Sequence, residues 1–241
     1  MKSAALALAV GIALVSVACG RGDAPKNRDD IAVDATAVLP DSGTLHSPTA
    51  ADVIVRDTRV LPNAFNGGDT LDSLRARYGA SNVRVEDIPG AEGEVTRGVV
   101  LFPDDPTRRA YLLFSDAENL QGLALVRVVD HDSTWTLGDL RMGTTLAELV
   151  ARNGAPIEFS GFGWDYGGAI AGFHGGALEP RDNNWPRTGF RLSPRTDLGE
   201  GLLQLPQGDG SFSTDDPKFA QYGTDIVIGE LTLAFPRAAT Q

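Results

Sequence analysis

Leucines three positions apart, placed between a threonine and a glycine, predict two short amphipathic helices. In the first, Leu71 and Leu74 share one helix face, Thr70 can cap the N-terminus, and Gly79 can end the helix. The second predicted helix repeats this arrangement with Thr145, Leu146, Leu149 and Gly154. Each helix is only about two to three turns long and would be marginal alone. We therefore expect tertiary packing to bury all four leucines.

Apolar and β-branched runs follow the first predicted helix, and turn signals separate them. The predicted strands cover residues 83–88, 94–102, 109–114 and 123–129. Turns rich in Pro, Gly or polar residues lie between the runs. Because strands joined by short turns pair antiparallel, the first half predicts a helix followed by a meander of about four strands.

Four further runs follow the second predicted helix. They cover residues 157–161, 169–173, 190–192 and 226–235. The connections between them are longer and rich in Gly, Pro and Asn. The second half therefore predicts the same order of elements, a helix and about four strands, with longer loops.

An internal repeat relates the two halves. Residues 68–80 match residues 143–155 at eight of thirteen positions, at an offset of 75. We predict an α+β fold with two tandem repeats, at 53–135 and 136–241, each a short helix followed by an antiparallel sheet of about four strands. Such a helix covers one face of its sheet and leaves the other face to solvent.

The repeated spacing Gly-x-Thr-x-x-x-Leu-x-x-x-x-Gly, with Pro156 after the second copy, resembles motifs of two known protein families. It is similar to the small outer-membrane lipoproteins of the barrel-assembly machinery, and it resembles the β-lactamase inhibitory protein family. The second resemblance implies two helix-plus-four-strand repeats that share one concave sheet, which grips another protein. The stabilising cysteines of that family are absent here, and no inhibitory residue can be assigned by position.

The N-terminal residues have the pattern of an export signal. Lys2 precedes an apolar run at 4–15, which is too short to span a bilayer well. The small residues Ser16 and Ala18 precede Cys19, an arrangement that resembles a bacterial lipoprotein signal. An ordinary cleaved secretory signal that happens to contain a cysteine is the alternative interpretation.

The lipoprotein resemblance implies a membrane anchor. Residues 1–18 would be removed, and Cys19 would carry acyl chains such as palmitate and become the first mature residue. Residues 19–52 would then form a disordered tether, because this stretch has no aromatic residues and cannot bury enough apolar surface to offset its ordering entropy. The absence of Asp after Cys19 favours the outer membrane, with the domain in the periplasm or at the cell surface.

Charge and cysteine content exclude some partners. The formal net charge is -11, which argues against binding to nucleic acid or to anionic lipid. The chain has a single cysteine, so no intrachain disulfide can form. The fold must therefore rest on its hydrophobic core alone.

The segment 161–168, Gly-Phe-Gly-Trp-Asp-Tyr-Gly-Gly, combines four glycines with three aromatic residues and one acid. Trp164, Asp165 and Tyr166 can form a stacking surface for a sugar, a peptide or a partner's loop, so they are the candidate binding residues. The alternative is a bulged strand in which Trp164 fills the core and Asp165 caps a turn. The segment also resembles one in a group of bacterial lipoproteins, a resemblance that implies no activity.

Familiar catalytic and metal-binding motifs are missing from the sequence. Gly-x-Ser-x-Gly, His-Glu-x-x-His and phosphate-loop patterns do not occur. We interpret the run Asp130-His131-Asp132 as a solvated strand end, because alternation along a strand would point His131 away from both acids. His174 is interpreted as a turn residue, and the acids within 209–216 lack EF-hand spacing. We predict no catalytic residue, no metal and no cofactor.

These features favour a binding module in the cell envelope, without catalytic activity. The expected partner is an envelope protein or a cell-wall ligand. An envelope hydrolase without a familiar motif and a purely structural lipoprotein are the alternatives. A deep cleft with convergent acids would favour the hydrolase, whereas an open face with exposed aromatic side chains would favour binding.

Overall fold

An antiparallel sheet of six strands dominates the computed structural model, which describes residues 59–180 and 185–236. All these residues belong to one compact unit. The two α-helices are α1 (Leu71–Tyr78) and α2 (Leu146–Asn153). The strands are β1 (Val60–Leu61), β2 (Val83–Pro89), β3 (Val95–Leu101), β4 (Ala110–Asp116), β5 (Gln121–Val128), β6 (Thr136–Leu137), β7 (Leu140–Arg141), β8 (Glu158–Ser160), β9 (Ile170–Gly172), β10 (Arg187–Pro194), β11 (Ser211–Ser213) and β12 (Ile226–Ala234).

The six-stranded sheet has the order β10-β12-β5-β4-β3-β2, and every neighbouring pair is antiparallel. Strands β2 to β5 form a meander, as the short turns between them predict. Strand β12 pairs with β5, which joins the second half of the chain to the first. The α+β class predicted from the sequence is therefore confirmed.

Two smaller sheets flank the large one. One has the order β1-β6-β7 and contains a parallel pair, β1 with β6. The other has the order β11-β8-β9 and is antiparallel throughout. Strands β1, β6, β7 and β11 have only two or three residues each, too few for the sequence to reveal a period.

The predicted tandem repeat of four-stranded units is not evident in the structure. Helix α1 is followed by the expected meander, but the strands after α2 are divided between two sheets. Strand β8 pairs with β9 and with β11 in a small sheet, whereas β10 and β12 extend the six-stranded sheet. Long connections allow this division, because they let successive strands separate in space instead of forming hairpins.

One face of the six-stranded sheet and both helices enclose the hydrophobic core. Leu74, Leu146 and Leu149 are buried as predicted, but Leu71 is only half-buried at the edge of the core. Trp135 is almost completely buried, and its Nε1 donates to the carbonyl oxygen of Arg108 at 2.8 Å. This bond satisfies the polar group of a side chain that otherwise fills the core.

Both helices begin with the predicted threonine cap. Thr70 Oγ1 accepts from the backbone N–H of Ser73 at 3.3 Å, and Thr145 Oγ1 accepts from that of Glu148 at 3.2 Å. Glu148 Oε2 in turn accepts from the N–H of Thr145 at 2.8 Å, which completes a capping box. The first helix also has a capping box, in which the hydroxyl of Ser73 takes the place of the carboxylate.

Neither α-helix of the two described ranges has the length and apolar content needed to cross a membrane. The predicted signal, Cys19 and the predicted tether all lie outside the described residues. Their assignment therefore stays a prediction from the sequence.

Candidate binding groove

Residues 161–168, named the aromatic segment from here on, connect β8 with β9. The side chains of Trp164 and Tyr166 are at the surface, with 41% and 47% of their area exposed. Their rings meet edge to face, with centroids 5.3 Å apart and planes at 63°. Of the two interpretations of Trp164, the structure therefore favours the exposed side chain over a core one.

Hydrogen bonds within the aromatic segment hold these rings in place. Trp164 Nε1 donates to the carbonyl oxygen of Gly161 at 2.9 Å. The hydroxyl of Ser160 donates to the carbonyl oxygen of Tyr166 at 2.9 Å, and the N–H of Gly167 donates to the carbonyl oxygen of Trp164 at 3.0 Å. The exposed rings consequently lie on a loop that is tightly turned and internally bonded.

Asp165 ties the aromatic segment to two distant parts of the chain. Its Oδ2 accepts from the N–H of Glu92, in the β2–β3 turn, at 2.8 Å. Its carbonyl oxygen accepts from Nη1 of Arg191, in β10, at 2.9 Å. The hydroxyl of Tyr166 also reaches Glu92 Oε1 at 3.5 Å. The acid therefore positions the loop between the turn and the sheet edge.

Gly168 ends the aromatic segment at a position where a side chain would not fit. Its φ is +75°, and a Cβ placed there would overlap the carbonyl oxygen of Leu192. The close approach allows the N–H of Leu192 to donate to the carbonyl oxygen of Gly168 at 2.9 Å. This glycine thus brings the segment against β10.

A groove with a volume of about 1100 Å³ adjoins the aromatic segment. Asp165 and Tyr166 line it, together with residues 169–173 around β9 and residues 186–191 of β10 and its approach. Apolar side chains cover much of its surface, among them Leu113, Leu125, Leu140, Ile170, Phe173 and Phe190. The exposed Tyr166 therefore lies at a concave, mainly apolar surface.

A glutamate held by two arginines lies in the groove wall. Only 8% of the Glu230 side chain is exposed; its Oε1 accepts from Arg127 Nε at 2.6 Å and its Oε2 from Arg191 Nη2 at 2.7 Å. The hydrogen bond to Glu230 holds the pKa of the Arg127 guanidinium above its ordinary value. Two cations and one anion leave this cluster with one net positive charge. Arg191 links the cluster directly to Asp165.

The groove also contains acids, as the hydrolase alternative would need, but each of them has a partner. Glu230 binds the two arginines, and Asp165 accepts from Glu92. Glu179 accepts from the N–H of Gly175 at 3.4 Å. None of the three is aimed into the groove without a hydrogen-bond donor.

A serine, a glutamate and a histidine meet outside the predicted site. Ser211 Oγ donates to Glu158 Oε1, and His174 Nε2 lies 3.4 Å from Glu158 Oε2. In a catalytic triad the histidine lies between hydroxyl and carboxylate, where it can take the proton of the nucleophile. Here the carboxylate is in the middle, so His174 cannot activate Ser211.

The other candidate acids do not form a metal site. Asp130 follows β5 and pairs with Arg109, with Oδ1 and Nη1 2.9 Å apart, while His131 is exposed. Asp216 pairs with Lys218 at 2.7 Å, and Asp209 is exposed. In the part of the chain that the structure describes, no group of three His, Cys, Asp or Glu residues could hold a metal ion.

The structure brings the three predicted site residues together but adds partners that the sequence analysis missed. Trp164, Asp165 and Tyr166 share one loop, whereas Glu230 and Arg127 are 103 positions apart in the chain. One local signal was available: Glu230 is the sole charged residue of the apolar strand β12. A lone charge in a buried strand needs a partner, although the sequence does not say which one.

Comparison with protein-family models, with curated proteins and with solved structures found no match. The resemblances that the helix motif and the N-terminal cysteine carry therefore stay predictions. A function for this chain has to rest on its own geometry and on the pattern of its sequence.

Proposed function

We propose that this chain is a lipid-anchored protein of the cell envelope whose domain binds an envelope protein or a cell-wall ligand. The observation that carries the proposal is the pair of exposed aromatic rings, Trp164 and Tyr166, beside a large apolar groove. Exposed aromatic side chains next to a concave surface are typical of contact sites that provide most of a binding energy.

The rigidity of the loop supports a role in binding. Trp164 and Tyr166 contact each other, and the indole of Trp164 donates to the carbonyl oxygen of Gly161. Ser160 and Arg191 donate to backbone carbonyl oxygens of Tyr166 and Asp165. Side chains that are already ordered lose little conformational entropy when a partner binds. Fixed aromatic rings therefore contribute more affinity than rings on a freely moving loop.

The part of the proposal that concerns membrane anchoring rests on the sequence. Cys19 follows an apolar run and small residues in the order that resembles a lipoprotein signal. We propose that its acyl chains hold the protein on a membrane, with the outer membrane favoured. The envelope-assembly or inhibitor-like role implied by the helix motif would be one form of this binding function.

The state of the acids supports binding rather than catalysis. Asp165, Glu179 and Glu230 line the groove, and each accepts a hydrogen bond from this chain. A general base must reach a proton of its substrate. Carboxylates already engaged in structural bonds are better suited to shape a binding surface.

The proposed site can be tested with variants of Asp165 and Tyr166. We expect Tyr166→Ala and Asp165→Asn to weaken capture of a partner from detergent-solubilised envelopes at least tenfold, with unchanged melting temperatures. Tyr166→Phe is the matched control, because it keeps the ring and removes only the long contact to Glu92. It should retain capture.

Two results would contradict the proposal. Unchanged capture by folded Tyr166→Ala and Asp165→Asn variants would exclude this site. Turnover of a cell-wall or ester substrate, abolished by a single carboxylate substitution, would assign the chain to the hydrolases. Fractionation of cells that express wild type and Cys19→Ala tests the anchor, which fails if the wild-type chain is already fully soluble after export.

A further inference from the structure

The groove lies between the outer strands of two sheets. Strand β10 ends the six-stranded sheet, and β9 ends the sheet formed by β11, β8 and β9. Among the backbone bonds of the described residues, a single one joins β10 to residues 168–173, from the N–H of Leu192 to the carbonyl oxygen of Gly168. Both strands contribute residues to the lining of the groove.

The direction of that bond identifies which groups of β10 face the groove edge. The register of β10 and β12 shifts between Arg191 and Leu192, where Gly229 of β12 is the extra residue, so β10 itself keeps its alternation. The N–H groups of Phe190 and Thr188 therefore point to the same side as that of Leu192. The other side of β10 pairs with β12 over its whole length. An edge of this kind is a template for one more strand.

The side chains of the groove suit an uncharged, partly apolar occupant. Phe190 and Phe173 contact each other edge to face, with ring centroids 5.8 Å apart, and both line the groove. Its charged residues balance, with three cations and three anions, which are Arg127, Arg187, Arg191, Asp165, Glu179 and Glu230. The chain as a whole carries a formal charge of -11. The groove is thus an electrically balanced surface on an acidic protein.

We propose that the groove binds an extended, uncharged peptide segment of another protein, which adds a strand to the edge of β10. The main-chain groups of the peptide would pair with those of Thr188 and Phe190, and its alternate side chains would contact Phe173 and Phe190. Edge addition takes its affinity from the backbone and its selectivity from side-chain pockets. This inference rests on the proposed binding function and names the class of ligand.

The test uses a random library of 12-residue peptides and the full folded domain. A selected peptide is synthesised in two forms, unmodified and N-methylated at alternate residues. We expect N-methylation in one of the two alternating registers to weaken binding at least tenfold, because it removes the N–H groups that pair with the edge. This comparison needs no change in the protein.

Two matched variants test the strand that is used. Thr188→Pro removes an N–H that points away from β12, and Thr188 is exposed, so the sheet should survive. Thr188→Val changes the side chain but keeps the N–H. We expect Thr188→Pro to weaken peptide binding at least tenfold and Thr188→Val to leave it within about twofold, with both melting temperatures near that of the wild type.

The following results would overturn the inference. The first is that no selected peptide binds this groove. The second is that the two N-methylated peptides bind with equal affinity. The third is that Thr188→Pro binds the peptide as tightly as the wild type does. Displacement of the probe by laurate or by chitotetraose would instead assign the groove to an acyl chain or a glycan. If Tyr166→Ala still abolishes partner capture in these cases, the proposed binding function is retained and only the proposal of a peptide ligand is rejected.

Discussion

The two halves of the chain, one containing α1 and the other α2, share a capped helix. They differ in how the strands after that helix pair. After α1, four strands follow one another in a meander. After α2, the strands are divided between the six-stranded sheet and a separate small sheet. The proposed groove lies where this second half is divided, between β9 and β10.

This difference in strand pairing indicates where a binding surface can form in such a fold. In a meander, the backbone N–H and C=O groups of each inner strand form hydrogen bonds on both sides, because each inner strand has two neighbouring strands. When successive strands enter different sheets, each sheet ends in its own outer strand. Both halves therefore contribute to the core and to the groove lining, but only the divided half provides the aromatic segment and the strands β9 and β10.

The largest expected effect tests the equivalence of the two helices. Leu74→Ala and Leu149→Ala should each lower the free energy of unfolding by about 2–5 kcal/mol, because both side chains are fully buried. Leu146→Ala should cost a similar amount, but Leu71→Ala only about 1 kcal/mol, since Leu71 is half-buried. Urea denaturation measures all four. Equal losses of unfolding free energy in Leu71→Ala and Leu146→Ala would contradict the expected difference between the two helices.

The next effect tests the junction that divides the second half. Gly168→Ala should cost about 3 kcal/mol, since a left-handed backbone and an overlap with the Leu192 carbonyl add together. Gly154→Ala is the matched control, because Gly154 has a similar φ of +67° but open space around its Cβ position. It should cost about 1–2 kcal/mol. If thermal unfolding shows similar losses of stability for Gly168→Ala and Gly154→Ala, the close approach of Gly168 to the Leu192 carbonyl oxygen is unimportant.

A third prediction compares a buried ion pair within the first half with an ion cluster that joins the two halves. Asp69 binds Arg77, both in the first half, whereas Glu230 of β12 binds Arg127 of β5 and Arg191 of β10. Asp69→Asn and Glu230→Gln should each destabilise by about 2 kcal/mol, because a charged hydrogen-bond acceptor is lost. Glu230→Gln alone should also weaken partner capture, since Arg191 positions Asp165. Loss of capture in folded Asp69→Asn would contradict this assignment.

The smallest effect distinguishes the two caps by pH. Hydrogen bonds from the backbone and side chain of Thr145 hold the pKa of Glu148 below its usual range. This cap therefore stabilises the folded state above the ordinary pKa of a glutamate, and its contribution is lost as the pH falls through the lowered value. In the first helix, the two capping side chains are the hydroxyls of Thr70 and Ser73, and neither of these groups carries a charge.

Urea denaturation at pH 7 and at pH 3 checks this prediction. Glu148→Gln should be slightly less stable than wild type at pH 7, by well under 1 kcal/mol for so exposed a group, and this difference should become smaller at pH 3. Thr70→Ala is the control, whose difference from wild type should change little with pH, because its hydroxyl accepts from a backbone N–H. A difference for Glu148→Gln that is the same at both pH values would refute the role of its charge.

The sequence by itself determined the local elements of this protein. Both helices, their threonine caps and all eight longer runs correspond to elements of the structure, with ends shifted by a few residues. These features depend on side chains a few positions apart, such as Thr145 and Glu148 or Leu71 and Leu74. Their signals are therefore contained in short stretches of sequence.

Tertiary structure alone decided how these elements combine. Nothing near β12 in the chain indicates that it pairs with β5, or that Glu230 meets Arg127 and Arg191. The exposure of Trp164 was equally open, because an aromatic residue among glycines is compatible with a core or a surface position. Strand pairing and burial depend on contacts between distant residues, so similar helix motifs precede a meander after α1 and divided sheets after α2.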